Sequence, residues 1–277
     1  MSFSVNTNVG AMTALQYLNQ TQGQLSQTQS AINSGLKVAD AKDNGAIFAV
    51  AQNERGAVGG YQAVLNSLNN GSSAIDTALS AGQSISDLLI QMKETALSAA
   101  DTSIDTASRQ ALNAQFQAYL SQINMILKDA SFNNCNLVDG STNQIMALSS
   151  SDGSRHITTM AENMSLGGSI ISIASSASIS TQTSASALIS TIQSSLTNVN
   201  TALARLSSGA AKFSIQATFV QKLSDTLTAG IGNLVDANMA DESAQLQSLQ
   251  VKQQLGVQAL SIANQAPESI LSLFQNS

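Results

Sequence analysis

Few residues in this chain could do chemistry. His156 is its only histidine and Cys135 its only cysteine. A thiol beside an imidazole can form a nucleophile–base couple, so Cys135 with His156 is the one conceivable dyad, and no third group in the sequence supports it. A single cysteine excludes an intrachain disulfide and any multi-cysteine metal site. Outside a dyad, Cys135 reads as a small, partly buried side chain and His156 as a surface loop histidine. Asp40, Asp43, Asp241 and Glu242 fall near predicted helix ends or turns, where capping or solvated roles are the default. Gly59-Gly60 lacks the lysine and the preceding strand of a phosphate-binding loop. No catalytic residue, cofactor-binding residue or metal ligand is therefore assigned, and an enzyme is the remotest reading.

The elements that would have to position such groups are built from unusual material. Only 10% of the 277 residues are charged, against roughly 25% in ordinary soluble proteins. Apolar content is 43%, so Ser, Thr, Asn and Gln have replaced the missing charges, and the disorder signature of low hydrophobicity with high net charge does not apply. A net charge of −6 with 11 basic residues, none clustered, argues against nucleic-acid binding. The single proline, Pro267, leaves nearly the whole chain free of that helix breaker. No apolar run approaches the ~18 residues of a membrane helix. The N-terminus has neither the basic region nor the apolar core of a secretory signal, so the chain reads as cytoplasmic unless exported by a route without a cleavable signal.

The longest regular pattern runs from Ala185 through Ile189, Ile192, Leu196, Val199, Leu203, Leu206, Ala210, Phe213, Ala217, Val220, Ser224, Leu227 and Ile231 to Leu234 in alternating steps of four and three. It predicts a helix of ~50 residues, ~75 Å long at ~1.5 Å per residue, which needs long partners. Leu65, Leu68, Ser72, Ile75, Leu79, Gly82, Ser86 and Leu89 supply one, running on towards Ala99. Leu112, Phe116, Tyr119, Ile123 and Ile126 supply another, with Asp105 as N-cap and Ala100–Ile104 as a short connection. Three such helices pack as an elongated antiparallel bundle.

From Ser131 to Ser184 the pattern changes. Asn133, Asn134, Asn136, Asp139 and Gly140 read as turns; Gln144–Leu148 and His156–Met160 read as short strands around an Asp152-Gly153 hairpin signal. Gly167-Gly168 and Ser172–Ser186 read as loop.

The two ends are the other informative feature. No charge occurs before Lys37, and Glu268 is the only charge from Gln253 to Ser277. Ala11, Leu15, Leu18, Leu25, Ile32 and Leu36 hold helical spacing, with Gln22 and Gln29 at two seam positions; Met239, Leu246, Leu249, Gly256, Leu260 and Ala263 do likewise. A helix face of amides and hydroxyls suits burial against protein better than solvation. Weak seams make both helices marginal alone, so both ends are expected to order on association.

Taken together, these residues resemble bacterial flagellin. Asn6-Thr7-Asn8 with Ala14-Leu15 matches the family's opening. Ile32–Gly45, INSGLKVADAKDNG, is similar to its Ser-Gly-Leu-Arg-Ile-Asn…Asp-Asp-Ala-Ala-Gly segment, with Lys37 for the usual Arg and Asn44 near the second Asp. Ser131-Phe132-Asn133…Asn136-Leu137-Val138-Asp139-Gly140 resembles its Phe-Asn-Gly…Leu-Leu-Asp-Gly turn. Ala263-Asn264-Gln265-Ala266-Pro267 followed by Ile270-Leu271-Ser272-Leu273 resembles its C-terminal signature.

The resemblance implies a mainly α fold: an elongated antiparallel long-helix bundle with a terminal coiled coil and a small β-containing insert. Residues 1–40 with 236–277 would form the terminal coiled-coil core domain, and 41–235 the bundle, with the insert at about 131–184. The insert is too short for large outer domains, so the chain resembles a minimal flagellin, exported by the flagellar type III route and assembling with copies of itself into an extracellular filament used for swimming. The assembly residues would be Ala11, Leu15, Leu18, Leu25, Ile32, Leu36, Met239, Leu246, Leu249, Leu260, Ala263, Ile270 and Leu273. Flagellar cap, hook-junction proteins and an export chaperone are the further partners implied; membrane insertion and cofactors are not. The patch that a vertebrate innate immune receptor reads in many flagellins is here Gln91-Met92-Lys93-Glu94-Thr95, with Gln115 where a Glu is usual, which weighs against recognition. A hook–filament junction protein shares the terminal helices, but the short insert and the Asn264-Gln265-Ala266-Pro267 ending favour flagellin. A cytoplasmic long-helix interaction protein would explain the heptads and leave the uncharged ends unexplained.

Overall fold

The computed structural model describes residues 7–275, with side chains described up to residue 265. Five helices and two small hairpins follow one another: α1 (Val9–Ser34), α2 (Ala41–Ala99), α3 (Thr106–Asp129), β1 (Ser131–Phe132), β2 (Cys135–Asn136), β3 (Gln144–Leu148), β4 (His156–Met160), α4 (Gln182–Val235) and α5 (Met239–Gln275). The described residues up to Gly56 and from Leu227 onward form one compact unit, and Ala57–Thr226 forms the other.

In the Ala57–Thr226 unit the long seams behave as their spacing requires. On α4 every second seam residue (Ala185, Ile192, Val199, Leu206, Phe213, Val220) is fully buried, while Ile189, Leu196, Leu203, Ala210 and Ala217 between them are half-buried against the same core. On α2, Leu68, Ile75 and Leu89 are buried in turn. The two helices run antiparallel: Phe213 meets Gly71, Leu203 meets Gly82, and Asn200 accepts from Ser86 Oγ. Gly71 and Gly82 are notches, because an added Cβ would lie 2.3 Å from the Phe213 ring and 2.6 Å from Leu203 Cδ2.

Asp105 caps α3 by accepting from Ser108 N at 2.9 Å, and its two hydrogen bonds from Ser108 hold the carboxyl below its ordinary range. Arg109 staples the preceding connection, donating from Nε to Ala99 O and from Nη2 to Asp101 O. After α3, Asn133 and Asn134 both adopt positive φ, as a two-residue hairpin turn demands, so Phe132 pairs with Cys135. Buried Asn136 then donates to Leu127 O at the end of α3 and accepts from Val138 N and Asp139 N.

The strands β3 and β4 pair antiparallel from Gln144↔Met160 to Leu148↔His156, the bounds the alternation predicts. In their turn, Asp152 accepts from Ser150 Oγ, Ser154 N and Ser154 Oγ, which lowers its carboxyl to about 2. Gly60 on α2 gives room to this turn, since a Cβ there would lie 2.6 Å from Ser151 O. One expectation is corrected. Ser172–Ser186 is not loop throughout, because α4 begins at Gln182. Thr181 and Ser184 cap it reciprocally, each backbone N–H donating to the other's hydroxyl.

The terminal helix pair as candidate assembly site

The chain ends are built to meet. Asn8 caps α1 by accepting from Ala11 N at 3.0 Å, and its Nδ2 donates to Ala263 O on α5 at 2.7 Å. Further along, Leu18 packs over Gly256, where an added Cβ would lie 3.2 Å from Leu18 Cδ1. Gln253 Nε2 donates to Gln22 Oε1 at 2.6 Å. As the α1 number rises the α5 number falls, so the pair is antiparallel. In this register buried Leu25 and buried Leu249 fall at one level.

The far end of the pair is closed by backbone hydrogen bonds. Lys37 N and Val38 N donate to Val235 O, and Ala237 N donates to Gly35 O. Leu36 and Asp236 form an antiparallel bridge, and Gly35 reverses the chain at φ 72°. Buried Val38 and Val235 lie beneath. Asp40 and Asp43 have local work here: Asp40 Oδ1 accepts from Lys42 N and Asp43 N, and Asp43 Oδ2 accepts from Ala39 N and Asp40 N. Asn44 departs from helical geometry (φ −160°, ψ 99°) and starts the long run of α2 by accepting from Ile47 N. Asn238 opens α5, accepting from Ala240 N and donating to Asp241 Oδ2.

The expected seam residues are placed unevenly. Ala11, Leu18, Leu25, Ile32, Leu36, Leu246, Leu249, Leu260 and Ala263 are buried or half-buried, whereas Leu15 is 47% exposed and Met239 is exposed. Ile270 and Leu273 lie beyond the described side chains. The least exposed residues of α1 recur as Ala11, Ala14, Leu18, Thr21, Leu25, Thr28 and Ala31 with Ile32, so the inner face passes through Ala14, Thr21 and Thr28 rather than Leu15, Gln22 and Gln29. Residue spacing was compatible with either path. Threonine fits an inner face because its hydroxyl can bond its own helix, as Thr21 Oγ1 does to Tyr17 O. Large apolar side chains remain on the outside: Val9, Met12, Leu15 and Tyr17 on α1, and Val251, Leu255, Val257 and Ile262 on α5.

The chemical candidates fall elsewhere. Cys135 and His156 sit in different two-stranded sheets, Cys135 half-buried and His156 exposed. Among the described residues, no group of three His, Cys, Asp or Glu side chains is placed to hold a metal ion, and no helix is long and apolar enough to cross a membrane.

Residues 5–143 match the bacterial flagellin N-terminal helical region, and residues 189–274 match the bacterial flagellin C-terminal helical region. The chain belongs to the flagellin family. It is 49% identical over 272 residues to flagellin FljM of Caulobacter vibrioides, with 98% of each chain covered. To a flagellin of Brucella melitensis it is 33% identical over 281 residues, covering 98% of this chain and 99% of the relative. A crystal structure of Bacillus cereus flagellin aligns with a TM-score of 0.45 and 18% identity, over 61% of this chain and 93% of that one. As a flagellin the chain is a structural subunit of the extracellular bacterial flagellar filament and not an enzyme. The terminal pair lies within the two matched regions.

Proposed function

We propose that the α1/α5 pair is the element that polymerises this flagellin, with residues 1–40 and 236–277 acting as the filament's core domain and 41–235 as the layer around it. One observation carries the reading: nine large apolar side chains among the described residues stand exposed on a helix pair whose α1 member has no charge at all. Exposed apolar surface of this extent, on a pair whose described side chains carry only Asp241, Glu242 and Lys252 of α5 as charges, needs covering by protein. Copies stacked in a filament cover it at every level. Ala11, Leu18, Leu25, Ile32, Leu36, Leu246, Leu249, Leu260 and Ala263 hold the pair together, and Leu15 and Met239 face its neighbours. Before assembly the same surface is what an export chaperone would shield, and the flagellar cap and hook-junction proteins would receive it at the filament ends.

Leu18→Lys and Leu260→Lys test this. Each sets an ammonium against a packed face, a cost repeated in every subunit. Both variants should stay helical by circular dichroism and fail to elongate seeded filaments in electron microscopy, as should a chain lacking residues 1–36. Normal filaments from either lysine variant would refute the assignment.

A further inference from the structure

The two longest helices of the Ala57–Thr226 unit present opposite charge on their exposed faces. On α4, Arg205, Ser208, Lys212, Ile215, Phe219 and Lys222 recur at steps of three and four and so share one face. All are exposed, Ile215 at 71% and Phe219 at 57%. The one carboxylate on α4 is Asp225, which accepts from Gln221 Nε2. On α2, Asp76, Asp87, Ile90, Glu94 and Leu97 fall on one face by the same stepping and are likewise exposed, Ile90 at 44% and Leu97 at 62%. The one cation of α2 in this unit is Lys93, which is turned towards α4 and donates to Gln193 Oε1. Arg205 with Glu162 is the only ion pair among the described residues, so Lys212, Lys222, Asp76, Asp87 and Glu94 have none among them.

Each face couples exposed apolar side chains to unpaired charges mainly of one sign: Lys212 and Lys222 on α4, where Glu162 pairs Arg205 and Asp225 bonds Gln221, and Asp76, Asp87 and Glu94 on α2. Neither can meet its own copy across a two-fold axis without setting like charges together. They can meet each other. We propose that the acidic α2 face of one subunit docks along the basic α4 face of the next, a head-to-tail contact of the kind that propagates into open filaments rather than closing a dimer. Within a subunit α2 and α4 run antiparallel, so copies stacked in the same orientation present these faces antiparallel as well. Setting Asp87 opposite Lys222 then places Ile90 opposite Phe219, and Glu94 and Leu97 against Ile215 and Lys212. In this register 87–97 of one subunit lies along 212–222 of the next, ~15 Å at ~1.5 Å per residue.

The pairing rests on the chain's being a filament subunit, and its test separates the two. Two full-length variants are made, Asp87→Lys/Glu94→Lys and Lys212→Glu/Lys222→Glu, with circular dichroism to verify folding and seeded elongation to give the critical concentration. Each alone should need at least about tenfold more monomer than the parent. An equimolar mixture should elongate near the parent value, because each reversed face then meets a face of opposite sign. The chain carrying all four substitutions should elongate too. If both single-face variants elongate like the parent, or if the mixture does no better than its members, the pairing is wrong and these faces serve another protein. Failure of the parent itself to elongate would count against the filament reading first.

Discussion

Gly71 on α2 offers the sharpest test of how the central unit is packed. It is a helix-interior glycine, where alanine would ordinarily stabilise by about 1 kcal/mol. Here an added Cβ would lie 2.3 Å from Phe213 Cε1 and 3.0 Å from Cδ1, with the ring itself 1% exposed and unable to swing into solvent. Overpacking of this kind costs about 1–3 kcal/mol, so Gly71→Ala should destabilise despite its propensity, by about 1 kcal/mol net. Phe213→Ala removes the ring and should cost about 3–5 kcal/mol. In that background the obstruction is gone, and Gly71→Ala should stabilise by about 1 kcal/mol. The coupling between the two sites is then about 2 kcal/mol, well above the few tenths expected of independent positions. Urea unfolding of the four monomers, followed by circular dichroism with unchanged m-values, measures it. A Gly71→Ala effect of the same sign in both backgrounds would refute the claim that this glycine exists to admit the Phe213 ring.

Two further outcomes concern the β3–β4 hairpin. Thr159 Oγ1 is buried with no hydrogen-bond partner, the side chain pressed against Gly209 of α4; Thr159→Val keeps the shape, removes the stranded hydroxyl and should raise the unfolding midpoint, by about 1 kcal/mol in stability. At Asp152 the folded carboxyl is lowered from 3.8 to about 2 by Ser150 and Ser154, so its contribution is present above 3.8 and lost as pH falls through about 2. Asp152→Asn should therefore remove the acid-sensitive part of amide exchange at Ser154 and Arg155, and an unchanged acid profile would exclude the carboxylate as its source.

Much of the fold was legible because long helices repeat their signal. A mistaken residue in the α4 stripe would be outvoted by the rest, and alternating buried and half-buried positions follow from Ala185 to Val220. The hairpin was legible because Asp152-Gly153 marks the turn and both flanking strands alternate. The start of α4 was not, because Thr181 and Ser184 belong to a serine-rich stretch whose composition reads as loop although their spacing makes a cap. The notches at Gly60, Gly71 and Gly209 were hidden for another reason. Each is explained only by the shape that enters it, and that shape comes from a residue far away in the chain. At the terminal pair, counting apolar residues favoured Leu15, whereas the inner face runs through Ala14, Thr21 and Thr28. Small and self-bonded side chains let two helices approach closely, and Leu15 is left on the outside.

That choice accounts for the missing charges better than burial alone does. If the apolar stripe of α1 were spent entirely on α5, the pair would be a self-sufficient hairpin and its outer surface would need charges to stay dissolved. Instead small residues (Ala14, Thr21, Thr28, Gly256) alternate with Leu18, Leu25, Ile32 and Leu249 on the inner face, and an exposed Gln22–Gln253 amide pair at its edge helps hold the register. Val9, Met12, Leu15 and Tyr17 of α1 and Val251, Leu255, Val257 and Ile262 of α5 point outward. On the proposed assembly role, stability is moved from the subunit to the contacts between subunits, and the outward face of the pair is the adhesive one. An outward Lys or Glu would strengthen the isolated subunit's hydration and weaken every contact in the polymer. The proposal that the uncharged ends are the assembly surface therefore gives the missing charges a cause.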